Sequence, residues 1–164
     1  MSRSRQNLSR RTFLHASLAG TAFLAMPRPL RASGQPKNMT ALTFDGDALL
    51  VAGESLLRSN DGGASWASVP TSGAGDILAL ATHPDRPGRV VAGLAGGGVA
   101  VSDDGGRSWE RRSGGLPGAA VIAIAVAAAA PDMVYATVRG DGLWQSEDAG
   151  RSWTFVMDRP WLAD

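Results

Sequence analysis

The chain has 164 residues, 44% of them apolar, with 21 glycines, nine prolines, no cysteine and a formal net charge of +1. The missing cysteine excludes disulfides, thiolate metal sites, a cysteine nucleophile and a lipid-modified cysteine anchor. The charge is unevenly spread. Residues 1–32 hold Arg3, Arg5, Arg10, Arg11, Arg28 and Arg31 and no acid, so the sixteen basic residues less these six leave ten against fifteen acidic ones. That remainder, net −5 and without a Lys/Arg stripe, argues against phosphate-backbone binding. No nucleic-acid partner is expected.

The first element in chain order is Ser9-Arg10-Arg11-Thr12-Phe13-Leu14, followed by a weakly hydrophobic run from Phe13 to Met26 that Gly20 interrupts. This resembles a twin-arginine export signal. The run is about 14 residues long, short of the ~20 that span a bilayer. Residues 1–32 are therefore expected to act as the signal, with membrane contact confined to it before cleavage. The remainder is expected to be periplasmic or extracellular.

Residues 33–39 are polar and turn-forming and read as a linker; residues 40–164 read as the folded part. In it, short apolar runs are separated by turn signals. The first set is Thr40–Phe44, Ala48–Ala52, Ser55–Arg58 and Trp66–Val69. The second is Asp76–Thr82, Arg89–Leu94, Val99–Val101 and Trp109–Arg112, with a Pro-bearing loop from His83 to Gly88. The third is Ala120–Val126, Met133–Val138, Leu143–Gln145 and Trp153–Met157, with Pro131-Asp132 expected in the loop that matches Pro84-Asp85. Ala120–Ala130 alone has the composition of a buried helix, but its register with the other sets makes it a strand.

One octet organises these runs. Ser59-Asn60-Asp61-Gly62-Gly63-Ala64-Ser65-Trp66, Ser102-Asp103-Asp104-Gly105-Gly106-Arg107-Ser108-Trp109 and Ser146-Glu147-Asp148-Ala149-Gly150-Arg151-Ser152-Trp153 share S-x-D-x-G-x-S-W, and their first serines lie 43 and 44 residues apart. A fixed period of this length signals one repeated supersecondary unit. Within the octet the Asp accepts from the turn's own N–H groups, the glycines supply positive φ, and the Trp anchors the hairpin corner. Four strands per period match a β-propeller blade. The fold expected is thus all-β: three four-stranded antiparallel blades, a partial propeller.

The octets resemble the Asp box, or BNR repeat, of sialidases, sortilin-type receptors and photosystem II assembly factors. The resemblance covers roughly residues 40–157, and its members' folds host unrelated functions. It implies a structural role for Asp61, Gly63 and Trp66, for Asp104, Gly106 and Trp109, and for Asp148, Gly150 and Trp153. The third octet departs by having Ala149 where the others have glycine. The three carboxylates lie on separate blades, so they do not converge on a metal or on a catalytic point. No metal, no cofactor and no catalytic residue is assigned.

Ligands are expected at the opposite strand ends, where the turns between second and third strands hold Glu54, Arg139 and Asp141. Trp144 and Trp161 fall outside the octet pattern and are the candidate exposed aromatics. The resemblance implies, as one activity, sialidase-like glycoside hydrolysis by an arginine clamp and a Tyr–Glu nucleophile. Tyr135 is the chain's single tyrosine and sits mid-strand, so such an enzyme needs residues from another chain or a further segment. The reading preferred is an exported, non-catalytic binding or scaffold module for protein or glycan.

Propellers close with about 4–8 blades, and three leave open edges. A piece of a longer gene product, isologous pairing of two copies into a six-bladed ring, and a separate partner all satisfy this.

Overall fold

The computed structural model describes residues 38–53 and 55–158. The expected export signal, residues 1–32, and the candidates Glu54 and Trp161 lie outside the described residues. Among the described residues, twelve strands form three sheets. Blade 1 holds β1 (Ala41–Asp45), β2 (Ala48–Ala52), β3 (Leu56–Ser59) and β4 (Ala67–Val69). Blade 2 holds β5 (Ile77–Thr82), β6 (Val90–Leu94), β7 (Val99–Ser102) and β8 (Glu110–Arg111). Blade 3 holds β9 (Val121–Ala127), β10 (Ala130–Val138), β11 (Gly142–Ser146) and β12 (Thr154–Met157). Each sheet is an antiparallel meander in sequence order, as the spacing predicts.

Register makes the blades comparable position by position. The first serine of each octet ends a third strand and pairs with Leu49, Val90 or Val134. One face of each sheet then looks back along the chain and the other looks forward. Leu50, Ala52 and Leu56 of blade 1 look forward and pack on Ile77, Leu80 and Val90 of blade 2. Val91, Val99 and Val101 look forward from blade 2 onto Val121, Val134 and Ala136 of blade 3. The core is thus two layers between three blades, which is why β6 and β7 are buried along their whole length. A strand covered on both faces has no polar side to show, hence the near-continuous apolar runs.

The β9–β10 connection differs from the sequence expectation. Ala127 pairs with Ala130, and the ladder resumes only at Val134–Val126. Pro131 and Asp132 therefore lie within the bulged start of β10 rather than in a loop. The same length of chain in blade 2 forms a loop around His83, a buried residue. Its Nδ1 accepts from the Asp85 N–H at 3.1 Å, so Nε2 carries the proton and donates to the Ala128 carbonyl at 3.0 Å. The ring joins blade 2 to the β9–β10 turn of blade 3, and without that partner the two connections need not match.

Gly93 marks a close approach of the blade 2 and blade 3 sheets: a Cβ there would meet the Val121 carbonyl and side chain at 2.8 Å. Gly93→Ala is expected to destabilise by about 1–3 kcal/mol through overpacking. Urea denaturation measures this, and Leu50→Ala, which opens a cavity instead, should cost about 2–5 kcal/mol.

Candidate functional site

The octets are self-contained hydrogen-bonded corners. In the second, Ser102 Oγ donates to Asp104 Oδ1 at 2.8 Å and accepts from the Gly106 N–H at 2.8 Å. The backbone N–H groups of Arg107 and Ser108 both donate to Asp104 Oδ1 at 2.8 Å, and the Ser108 hydroxyl takes Oδ2. The Asp61 and Asp148 turns repeat the two serine hydroxyl donors and the serine N–H. Hydrogen bonds to the ionised form lower a carboxyl pKa. Those from Ser65, then Ser59, hold Asp61 down at about 2, and the same donors hold Asp104 and Asp148 well below the usual carboxylate range. A carboxylate engaged in this way is a poor general acid, and the described residues include no group of three metal-ligating side chains.

The glycine positions follow from geometry. Gly62 and Gly105 have φ of 68° and 74°, and Ala149 takes φ of 57° at the equivalent place. The turn survives the substitution by holding a left-handed alanine. Each tryptophan folds back over its turn. Trp66 Nε1 donates to the Gly63 carbonyl at 3.0 Å, and Trp153 Nε1 donates to those of Gly150 and Arg112 at 2.8 and 3.2 Å. Trp109 Nε1 is buried without a partner among the described residues, and nothing in the structure explains it.

Sequence reasoning missed the arginines that staple octets to neighbouring strands. Arg58 pairs with Asp45 at 2.9 Å and donates to the Gly105 carbonyl at 3.3 Å. Arg112 donates to the Ala149 carbonyl at 3.2 Å and pairs with Glu110 at 2.6 Å. Arg89 bridges Asp103 at 2.7 Å and Asp132 at 2.6 Å, which raises its pKa, with the Asp103 hydrogen bond the chief cause. Their only sequence signal is an arginine near a strand end, which solvated arginines share.

At the opposite strand ends the candidates are unequal. Arg139 is exposed, and its backbone N–H donates to the Ala120 carbonyl. Asp141 and Trp144 are brought together: Trp144 Nε1 donates to Asp141 Oδ2 at 2.9 Å, and its ring meets Phe155 edge-on at 5.5 Å. Trp144 is consequently half-buried rather than a free aromatic platform. At the same ends lies a groove of about 480 Å³, lined by Gly96–Gly98, Arg111, Ser113 and Leu116–Gly118. Arg111 Nη2 donates to the Gly97 carbonyl at 2.8 Å, leaving further guanidinium N–H groups for a ligand. The sequence signal for this groove is the run Gly96-Gly97-Gly98 between β6 and β7.

No protein-family model matches the chain, and no curated protein matches it. Among solved structures, an ancestral GH74 enzyme superposes with a TM-score of 0.62 at 20% identity over 75% of this chain and 19% of its own. The GH74 xyloglucanase from Xanthomonas campestris gives 0.55 at 23% identity over 74% and 24%. YCF48 from Cyanidioschyzon merolae gives 0.58 at 18% identity over 71% and 36%. The chain spans about a fifth to a third of the length of these neighbours. It is an all-β partial propeller.

Two outcomes test the octet chemistry. Asp61 has its pKa depressed in the fold, so its contribution is fully present above the ordinary 3.8 and lost as pH falls through about 2. The urea midpoint should fall over that window, and Asp61→Asn should flatten the dependence. Ala149→Gly should raise stability by about 1 kcal/mol by relieving the left-handed alanine.

Proposed function

We propose that this chain is an exported, non-catalytic binding module whose octets are Asp-box corners, and whose ligand face is the set of strand ends opposite them. Its ligand is a protein or a glycan, gripped at the groove beside Arg111 and at the Arg139–Gly142 turn. The observation that carries this reading is the contrast between the two strand ends. At the octets the carboxylates of Asp61, Asp104 and Asp148 are each engaged by their own turn. At the other end stand an open groove with Arg111 and an exposed Arg139. Grooves with a few polar groups are where ligands bind. The fold itself is neutral between readings, since its neighbours include GH74 enzymes and YCF48 alike. Pairing of two copies belongs to the same proposal.

Photo-crosslinking residues placed at positions 111 and 139 should capture partner, while one at position 65, on the octet side, should not. Equal capture from position 65 sinks the assignment of the face. A fluorogenic sialoside should not be turned over; turnover would restore the hydrolase. Export is tested by Arg10→Lys with Arg11→Lys, which should hold a fused reporter in the cytoplasm.

A further inference from the structure

Inside the chain, the second and third octets each have a seat on the blade before them. A Cβ on Gly106 of the second octet would meet Leu56 at 3.0 Å and Val69 at 3.6 Å, both in blade 1. A Cβ on Gly150 of the third would meet Arg112 of blade 2 at 3.5 Å. Val69 and Arg112 each lie three residues after their Trp, and both are 7% exposed because an octet covers them. The guanidinium on each seat reaches the octet's fourth residue: Arg58 meets the Gly105 carbonyl and Arg112 the Ala149 carbonyl.

Blade 3 carries the same seat, and it is open. Val156, three residues after Trp153, is 43% exposed, and Met157, across from Leu143, is 44% exposed. A cleft of about 440 Å³ lies there, lined by Gln145, Glu147, Thr154, Phe155 and Val156. The matching positions of blade 1 form a cleft of about 340 Å³ that Arg107 of the second octet also lines.

The complementary surface stands at the other side of the array. The first octet rests on no preceding blade among the described residues, and the Gly62 carbonyl meets no guanidinium there. Beside it Leu42 is 66% exposed, whereas Leu80, at the same register in blade 2, is 9% exposed under blade 1. Phe44 is 61% exposed on the same face.

We propose that the open seat of blade 3 receives the first octet of a second copy of this chain, head to tail. The contact continues the two inter-blade interfaces already present. Gln145 stands where Arg58 stands in blade 1 and supplies an amide N–H for the Gly62 carbonyl. Leu42 and Phe44 are covered by the forward face of the incoming blade 3. Such a contact uses two different patches, so it closes into a ring when the rotation allows and otherwise extends. This deepens the partner side of the function proposed above and involves neither Arg111 nor Arg139, so either can fail alone.

The test is the native mass of the full chain by light scattering across a concentration series, with Leu42→Glu and Val156→Glu. Both side chains are exposed, and a far-UV spectrum checks that each variant keeps its strands. The wild type should exceed the monomer mass and grow with concentration. Each variant alone should associate at least tenfold more weakly. An equimolar mixture should recover a 1:1 complex, because each variant keeps the half the other lacks. A wild type that stays monomeric, association that survives either substitution, or a mixture no heavier than its components would each overturn the proposal.

Discussion

A four-stranded sheet with two apolar faces is stable only when both are covered, and this constraint governs everything else in the chain. It explains why blade 2, held on both sides, is buried through β6 and β7, while its neighbours are covered on one side within the array. It explains Gly93, placed where two sheets come too close for any side chain. It also explains why Leu42 and Leu80, alike in type and register, differ so much in exposure.

The octet solves a separate problem. An outer strand two to four residues long has few ladder bonds with which to hold its turn. The Asp carboxylate and two serine hydroxyls supply a substitute made within eight residues, and the Trp folds back over it. Because the turn is rigid by itself, it serves as a fixed knob for the neighbouring blade, and arginines from different strands can reach it. Arg58 comes from β3 and Arg112 from just past β8, yet both find the carbonyl of an octet's fourth residue.

The fold was legible because its signals are local and repeat in register. Ala48–Ala52 was bounded to the residue, and the other strands end within a residue or two of their expected limits, apart from the start of β10. Pro131 misled for a physical reason: the short run resembles the loop at Pro84, but the Ala127–Ala130 pairing and the bulge it forces depend on contacts that composition does not carry. The candidate site was less legible. The turn holding Arg139 and Asp141, and Trp144 in the strand after it, fall where the spacing along the chain puts them, but the bond that ties Trp144 to Asp141 is a matter of side-chain placement. The Arg111 groove needs a glycine turn and an inter-blade link to meet, a juxtaposition that spacing along one strand does not reveal.

The meander order of every sheet has a kinetic consequence. Strands pair with their immediate sequence neighbours, so blade formation requires the closure of short loops only, and topologies rich in local contacts fold fast. An array of this kind can nucleate in any blade and grow to either side. Each blade's ladder is therefore complete once its own four strands are made, and no strand of the described residues waits for a partner from another blade.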